Sequence, residues 1–361
     1  MKARYPGNNW LSVTIHQVPG VTSMAILPIY VGLDYHSGSV QVCVLDSAGK
    51  VRANRKVGNS ASEIHRVVSQ VGSPDSVALE ACCGAANLAD ELGQRFGWHV
   101  QLAHPGYVAR MKRGPDKTDF SDAWLLADLL RVRYLPVVWL APEQIRGLRR
   151  LVRFRDQLVK ERRNAKLRIR GLLREHRRVA PAGINAWTKA WLRWLEQEPF
   201  SEDDRWLLEQ QLEKVRLATQ KIRETEGRLR AATQQDVVVQ KLMKMAGVGL
   251  VTAVTLRAEV GQFDRFASGK QLARFCCVSP RNASSGDRQA DAGLVKAGSP
   301  LLRSIIIETA HRLVWRIDSR WHQMATSLIN RGKPKNVAVA AVANRWVRWL
   351  HHEITLEGLA A

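Results

Sequence analysis

The stretch that decides the fold is Ile29-Tyr30-Val31-Gly32-Leu33-Asp34, a short run of β-forming residues that ends at a carboxylate. A glycine-containing turn, His36-Ser37-Gly38, follows it and leads into a second apolar run over residues 40–45. Gly49 then precedes a third short strand. Strand-like runs separated by short polar turns predict an antiparallel meander.

Beyond the meander the pattern alternates between helix and strand. The predicted elements are a helix over about 61–71, a strand over 77–80, a helix over about 86–95, a strand near 98–102 and a helix over about 119–133. Three strands followed by helix, strand, helix, strand and helix is the element order of an RNase H-like domain. We therefore predict an α/β, RNase H-like domain over 28–140, preceded by a loose extension over 1–27 in which Met24 is an alternative start.

The middle of the chain is predicted to be helical. Two long helices, over about 144–178 and 203–232, carry apolar residues at heptad spacing. This spacing predicts a coiled-coil stalk over 141–240. Tryptophans 187, 191 and 194 recur at helical spacing and are predicted to form a buried stripe between the stalk helices.

The C-terminal domain, 241–361, is also predicted to be helical, apart from a polar loop over 279–300. It opens with Gly247-Val248-Gly249 between apolar segments, which is the pattern of a helix-hairpin-helix. In that motif the glycines allow a tight turn whose N–H groups meet a phosphate, although an ordinary helical turn has the same pattern.

The charge is the unusual part of the composition. The chain has 361 residues, an ordinary apolar content of 45% and a net charge of +22 at pH 7. Residues 141–180 and residues 241–361 each carry a net charge of +10, whereas residues 28–140 carry +1. Such an excess attracts polyanions and suits nucleic-acid binding, with a solvated arginine-rich face as the alternative interpretation.

Several protein classes are excluded or disfavoured. No apolar run approaches the roughly 20 residues that span a bilayer, which excludes an integral membrane protein. The N-terminal segment lacks a continuous apolar core, which argues against secretion. The cysteines include no C-x-x-C pair, so a zinc ribbon or a disulfide scaffold finds no support. We expect reduced thiols in a cytoplasmic, nucleoid-associated protein.

Four carboxylates are placed to form a metal site. Asp34 follows the first strand, Glu80 ends the fourth, and Asp119 and Asp122 share one face of a helix. In an RNase H-like layout the first and fourth strands are neighbours and this helix packs beside them, so we expect the acids to converge. Oxygen ligands select Mg²⁺, or alternatively Mn²⁺, and such ions support phosphoryl transfer. Taken singly, each acid is also explained as a cap or turn residue.

A second constellation is the loop Ser279-Pro280-Arg281-Asn282-Ala283-Ser284-Ser285-Gly286. A serine beside glycine and between basic residues can be a nucleophile, but no histidine base is adjacent. Its activation would have to come from an arginine, a metal or a base on another segment. By composition alone this segment is a flexible polar loop.

Longer motifs extend along nearly the whole chain from residue 29. They are G-L-D-Y-H at 32–36, L-E-A-C-C-G at 79–84, K-T-D-F-S-D-A at 117–123, L-R-R-L-V-R-F-R at 148–155, M-A-G-V-G-L-V-T-A at 245–253, S-P-R-N-A-S-S-G at 279–286 and L-V-K-A-G at 294–298. In these motifs the chain resembles the DEDD-type insertion-sequence transposases. That is the RuvC-like group related to the pilin-gene invertase and guided by a bridge RNA.

The resemblance implies specific roles and partners. Its D-E-D-D tetrad maps to Asp34, Glu80, Asp119 and Asp122 as Mg²⁺ ligands, and its catalytic serine maps to Ser285, with Ser284 as the other register. It further implies donor and target DNA, a bridge RNA, and a homo-oligomer in which dimers assemble into a tetramer. The predicted nucleic-acid contacts are Lys117, Arg149, Arg150, Arg153, Arg162, Arg163, Lys166, Arg170, Gly247, Gly249, Arg281 and Lys296.

Two other functions fit the same sequence. A RuvC-like nuclease would use the acids to hydrolyse branched DNA with water and would not need the serine. An inactive nucleic-acid-binding protein would use only the positive charge.

Overall fold

The computed structural model describes residues 28–112, 118–282, 291–317 and 319–356. The predicted extension over 1–27 lies outside these residues. The chain divides into two compact units, Met1–Leu140 and Ala141–Ala361. The helices of the predicted stalk and those of the predicted C-terminal domain therefore belong to one unit.

The first unit is a mixed α/β structure. Its elements are β1 (Ile29–Tyr35), β2 (Ser39–Asp46), β3 (Val51–Gly58), α1 (Ala61–Ser69), β4 (Pro74–Glu80), α2 (Ala85–Phe96), β5 (Val100–Ala103), α3 (Pro105–Met111), α4 (Asp119–Arg131) and β6 (Val137–Val138). The predicted order of strands and helices is confirmed. Only α3 and β6 were not predicted, because segments this short do not develop a readable periodicity.

The six strands form one sheet in the order β3-β2-β1-β4-β5-β6. β1 pairs antiparallel with β2 and β2 pairs antiparallel with β3, which confirms the predicted meander. β1 also pairs with β4, in the parallel direction, with Gly32 opposite Ala78 and Leu33 opposite Leu79. The expected adjacency of the first and fourth strands is therefore confirmed.

Alternating residues of the central strands face two different layers of helices. Val31 and Leu33 belong to a buried cluster completed by apolar residues of α1 and α2. Ala78 instead belongs to a cluster with Leu126 and Leu130 of α4. The helices α1 and α2 therefore cover one face of the sheet, and α4 covers the other.

Gly32 allows α4 to approach β1 very closely. A Cβ atom at this position would lie 2.1 Å from the carbonyl oxygen of Ala123 and 2.5 Å from the backbone nitrogen of Ala127, both in α4. A side chain cannot be accommodated at these distances, so the contact requires glycine. It brings the beginning of α4 next to the C-terminal end of β1.

The second unit is helical, with one small hairpin. Its elements are α5 (Glu143–Glu175), α6 (Lys189–Gln197), α7 (Glu202–Ala232), α8 (Val237–Met243), α9 (Leu250–Val260), α10 (Gly269–Phe275), β7 (Pro280–Asn282), β8 (Asp291–Leu294), α11 (Pro300–Trp315), α12 (Arg320–Asn330) and α13 (Lys335–Leu356).

The long helices α5 and α7 pack against each other in opposite directions. Arg155 pairs with Glu226, Arg168 donates to Gln211, and His176, just after α5, pairs with Asp204. The partner numbers fall as the numbers along α5 rise, so the two helices are antiparallel. The predicted tryptophan stripe is confirmed: Trp191 is buried between these helices, with Trp187 and Trp194 half-buried against the same cluster.

Two predictions for this unit are wrong. The segment 279–300, predicted as a polar loop, contains the paired strands β7 and β8. The helix α12 was not predicted, because Ala325 is its only buried residue and an almost wholly exposed or half-buried helix shows little apolar periodicity.

Other features of the described residues agree with the sequence. No helix in this part of the chain has both the length and the hydropathy needed to cross a bilayer. All five cysteines are described and all are free thiols. Burial raises the pKa of Cys43 to about 12, so this thiol stays protonated.

Candidate active site

Strand geometry places Asp34 and Glu80 on the face of the sheet that α4 covers. Asp34 follows Gly32 by two residues in β1, and Glu80 follows Ala78 by two residues in β4. Side chains two residues apart in a strand point to the same face, and Gly32 and Ala78 are register partners. Both carboxylates therefore lie at neighbouring strand ends and on one side of the sheet.

A shared neighbour supports this placement of Asp34 and Glu80. The thiol of Cys82, in the segment that follows β4, has its pKa raised by burial and then by the charges of Glu80 and Asp34. This agrees with the placement of both carboxylates at neighbouring strand ends.

The first turn of α4 contributes the other two acids. Thr118 is the N-cap, and its side chain and that of Ser121 form a reciprocal capping box. This cap fixes the start of the helix, so Asp119 and Asp122 both lie in its first turn. The Asp122 side chain is 10% exposed, whereas that of Asp119 is 39% exposed.

Three basic side chains, none of them predicted as site residues, contact the acids. His36 Nε2 lies 3.2 Å from Asp34 Oδ2 and 3.3 Å from Asp119 Oδ1. Lys56 Nζ lies 3.1 Å from Asp119 Oδ2, and Lys112 Nζ lies 2.7 Å from Asp122 Oδ2. The acid cluster is thus neutralised in part by the protein itself.

A sequence signal exists for only one of these basic residues. His36 follows Asp34 by two residues, and side chains two residues apart in an extended chain point to the same side. Lys56 comes from β3 and Lys112 from the end of α3, and nothing in the sequence relates either to the acids.

The pKa values of Asp34 and Asp119 are shifted in opposite directions. The pKa of Asp34 is raised, chiefly by burial and also by the charges of Asp122 and Asp119, although His36 opposes this rise. The pKa of Asp119 is lowered, chiefly by its hydrogen bond from Lys56. The charges of Asp122 and Asp119 thus act on Asp34 in the same direction as its burial.

The donor set fits a hard divalent cation. Ligand atoms of Asp34, His36 and Asp119 all lie within 4.8 Å of one another, which is close enough to contact one ion. Asp122 adds a carboxylate that is nearly buried, and such a group requires a compensating positive charge. Carboxylate oxygens suit Mg²⁺ and Mn²⁺, and an imidazole nitrogen favours Mn²⁺ of the two.

The predicted serine nucleophile lies outside the described residues, as do Ser284 and Lys117. The base of its hairpin is described. Asn344 of α13 donates from Nδ2 to the carbonyl oxygen of Val278 at 3.2 Å and to Ser279 Oγ at 3.3 Å. The backbone nitrogen of Val295 donates to the carbonyl oxygen of Ser279 at 3.0 Å and closes the hairpin.

Close packing holds the chain on either side of this hairpin. A Cβ atom at Gly298 would lie 2.6 Å from Cys277 Sγ, and Cys277 itself adopts a φ of 59°, a left-handed conformation that is uncommon outside glycine. Arg281 and Lys296, both predicted nucleic-acid contacts, are exposed beside the hairpin base.

The basic residues of α5 divide into two groups. Arg149 donates from Nε to the carbonyl oxygen of Ala258 at 2.6 Å, and Arg153 forms two hydrogen bonds, of 2.9 and 3.1 Å, with the buried carboxylate of Glu259. Arg150 pairs with Glu143. Arg149 and Arg153 therefore hold α5 against α9, whereas the Arg150–Glu143 pair lies within α5 and is exposed.

The remaining predicted contacts of α5 are on the surface. Arg163 and Arg170 are exposed, Arg162 is half-buried, and Lys166 lies 4.3 Å from the centre of the Trp187 ring. The side chains of Arg150 and Arg153 are also largely exposed, at 65% and 61%, so both parts of α5 present charge to solvent.

Gly247 and Gly249, both predicted to contact nucleic acid, lie in the connection between α8 and α9. Gly247 adopts a φ of 76°, which strongly favours glycine, and Gly249 is the N-cap of α9. Arg312 of α11 donates from Nε to the carbonyl oxygen of Gly247 at 3.0 Å, which anchors the turn.

Two family models match this chain. Residues 31–177 match the DEDD transposase family model of the IS110 group, and residues 239–326 match the model described as the transposase IS116/IS110/IS902 family.

Curated relatives extend over most of the chain. The "Probable family 20 transposase" of Pseudomonas aeruginosa is 29% identical over 89% of this chain and 95% of its own length. The transposase for insertion sequence element IS1111A of Coxiella burnetii is 28% identical over 87% and 86%, respectively. The transposase for IS1328 of Yersinia enterocolitica is 26% identical over 76% and 82%.

These matches identify the protein as a transposase. More specifically, the chain belongs to the IS110-type transposases of insertion sequences.

Proposed function

We propose that this transposase cuts and rejoins DNA strands with a divalent metal held by Asp34, Glu80, Asp119 and Asp122 and with a serine nucleophile, Ser285 or alternatively Ser284. The observation that carries the proposal is the group of acids at one edge of the sheet. The pKa of Asp34 is raised by burial and by the charges of Asp122 and Asp119. Lys56 and Lys112 pair with Asp119 and Asp122, and His36 lies between Asp34 and Asp119. An arrangement with this electrostatic cost is typical of a site built for a cation.

Mg²⁺, or Mn²⁺ in its place, would stabilise the negative charge that develops on the oxygens of the reacting phosphate. The residues of the chain have separate tasks. The capping box of α4 fixes the two helix acids, the strand ends fix the other two, and His36 and Lys56 orient Asp119. Lys112 keeps the nearly buried Asp122 compensated.

In the proposed strand cleavage, the serine Oγ attacks a DNA phosphorus atom and loses its proton. A Ser Oγ–P bond forms, the bond from phosphorus to one bridging sugar oxygen breaks, and that oxygen leaves and takes up a proton. Rejoining is the reverse reaction with a different sugar hydroxyl, so no external energy source is needed. The activating group for the serine comes from another segment, because no histidine is adjacent to it in the sequence.

The wider assembly is part of the proposal. The order β3-β2-β1-β4-β5, with β1 between an antiparallel and a parallel neighbour, supports an RNase H-like, RuvC-like N-terminal domain. The antiparallel pair α5–α7 supports a coiled-coil stalk that joins protomers as dimers and tetramers, and the α8–α9 turn supports a helix-hairpin-helix. A bridge RNA selects donor and target DNA. The protein then contacts only the phosphate backbone of the DNA, through Arg162, Arg163, Lys166, Arg170, Arg281 and Lys296.

Denaturing electrophoresis with end-labelled DNA tests the reaction. In the presence of Mg²⁺ and the RNA transcribed from the DNA that flanks the gene, the wild-type protein forms a covalent DNA adduct and recombinant product. Ser285→Ala or Ser284→Ala, whichever removes the nucleophile, abolishes both. The other serine variant is the matched control.

The alternatives give different results in the same assay. If the protein is a RuvC-like nuclease, both serine variants cut branched DNA as well as the wild type does, and no covalent adduct forms. An inactive binding protein keeps its affinity when Asp34 and Glu80 become alanine, as the transposase also should, but it yields no DNA product even as the wild type. Either result overturns the proposal.

A further inference from the structure

A concave surface of the second unit is lined by positive charge that the candidate active site does not use. It is an open cavity of about 570 Å³ between α10 and α13. The lining residues are Ser268, Gly269, Lys270, Arg345, Arg348 and Trp349, of which three are cations and none is an acid.

Among the residues that the structure describes, Lys270, Arg345 and Arg348 form no ion pair and no side-chain hydrogen bond. This distinguishes them from Arg149 and Arg153, whose guanidinium groups bind α9. Like charges that converge on a concavity without an internal partner attract an anion from solution.

Backbone packing, rather than flexible side chains, holds the two walls of the cavity together. A Cβ atom at Gly269 would lie 2.7 Å from the carbonyl oxygen and 2.8 Å from the Cα atom of Arg348. His351 Nε2 also lies 3.0 Å from the carbonyl oxygen of Phe266, just before α10. Lys270 and Arg348 are therefore brought together by a contact that any side chain at 269 would disrupt.

The cavity is linked to the hairpin that carries segment 283–290. Asn344 precedes Arg345 in α13 and lies one helical turn from Arg348. Its side chain holds Val278 and Ser279 at the base of the hairpin. A ligand in the cavity is thus bound one helical turn from the anchor of the hairpin.

We propose that Lys270, Arg345 and Arg348 bind consecutive phosphates of duplex DNA beside the serine hairpin. The choice of DNA rests on the proposed function, whereas the anion site rests on the cavity itself. Contacts from lysine and arginine to phosphate position a duplex without reading its sequence. The site therefore supplies register and affinity and leaves sequence choice to other parts of the complex.

Salt-dependent binding of a duplex DNA to the full chain tests the site. The double variant Arg345→Gln/Arg348→Gln is expected to weaken binding about tenfold or more for each guanidinium–phosphate pair that the substitutions remove. The slope of log K against log salt should fall by about one for each of these pairs. Adding Lys270→Gln, as a triple variant, should lower the slope by about one more.

The matched control removes the same number and types of charge elsewhere. Lys189, Arg223 and Arg230 are exposed residues of the near-neutral segment 181–240. The variant Lys189→Gln/Arg223→Gln/Arg230→Gln should change the slope little. Equal losses for the two triple variants would show a general charge effect and overturn the site. Preferential loss of RNA duplex binding in the cavity variant would overturn the assignment to DNA.

A second measurement uses the wild-type protein, so its result does not depend on whether a variant folds. Acetylation by an amine-reactive ester, read by mass spectrometry, should be slowed at Lys270 by bound duplex DNA and unchanged at Lys189. Unprotected Lys270 in the saturated complex contradicts the proposal.

Failure of the proposed reaction and failure of this site can be told apart. Asp34→Asn should lose strand cleavage but keep the full affinity and salt slope for DNA. The cavity variants should lose affinity whether or not the protein proves to cut DNA.

Discussion

The ammonium group of Lys112 lies 2.7 Å from Oδ2 of Asp122, and this contact joins two elements across the acid cluster. Lys112 directly follows α3, whereas Asp122 lies in the first turn of α4. The carboxylate is 10% exposed and the lysine side chain 27% exposed, so both charges are partly removed from water. Lys112 therefore stabilises the acid cluster when no metal ion is present.

Lys112→Met should destabilise the metal-free protein. It leaves the nearly buried Asp122 carboxylate without its partner, which costs about 1–3 kcal/mol. Mg²⁺ should restore part of the loss, because the ion supplies the missing positive charge. Thermal unfolding with and without Mg²⁺ measures both effects. Lys56→Met is the control, since its pair with Asp119 is more exposed and should matter little. An equal response of the two variants would contradict the role of Lys112.

Asp34→Asn should stabilise the metal-free fold at neutral pH, although we expect it to abolish the proposed strand cleavage. The pKa of Asp34 is raised in the folded state, so the folded protein holds this proton at a higher pH than the unfolded chain does. The stability due to this group is therefore complete below the ordinary carboxyl pKa and declines as the pH rises through the raised value.

A melting-temperature series against pH measures the effect of Asp34→Asn. The variant should melt above the wild type at neutral pH, and the difference should close in acid, where both side chains are neutral. A variant that melts below the wild type at neutral pH would show that His36 outweighs burial.

Gly32→Ala should displace α4 and with it Asp119 and Asp122. The new methyl group would meet the α4 backbone at 2.1 and 2.5 Å, and backbone cannot move aside as a side chain can. Overpacking of this kind costs about 1–3 kcal/mol or more. Urea unfolding measures the loss, and the control is Gly38→Ala, where an added Cβ has no neighbour within 4 Å. Equal stability of the two variants would contradict the close approach of α4 to β1 at Gly32.

Asn344→Leu should loosen the serine hairpin without unfolding α13. It removes the donors to Val278 and Ser279 and keeps the size of the side chain. We expect faster amide hydrogen exchange at Val295, whose N–H closes the hairpin, and at least a tenfold loss of covalent DNA adduct. DNA affinity should stay the same. Unchanged exchange at Val295 would mean that Asn344 does not hold the hairpin.

Much of the first unit could be predicted because its elements are local. The runs over 29–58 are short, rich in β-forming residues and separated by polar turns, which is typical of strands. The placement of the α4 acids follows from the three-residue spacing of Asp119 and Asp122. The adjacency of β1 and β4 required an assumption about the fold, which the register of Gly32 with Ala78 confirms. The catalytic roles of these acids and of the serine stay predictions.

The charged residues were harder to interpret, because the partner of a charge is rarely near it in sequence. Arg153 binds Glu259, which lies 106 residues further along the chain. Arg149 and Arg153 were predicted to contact nucleic acid because they belong to a basic segment and to the family motif at 148–155. In the structure their guanidinium groups bind α9. Arg345 and Arg348 were not among the predicted contacts, and their side chains form no ion pair or hydrogen bond in the described part of the chain.

By itself the sequence determined the order of elements, the change from an α/β region to a helical one near residue 140, and the candidates for metal ligands. Those properties depend on periodicity and spacing, which are local. Only the tertiary structure decided which cations neutralise the acids, which arginines are internal and how closely α4 approaches β1. Those properties depend on distances between segments far apart in the chain, and such distances arise only when the elements pack.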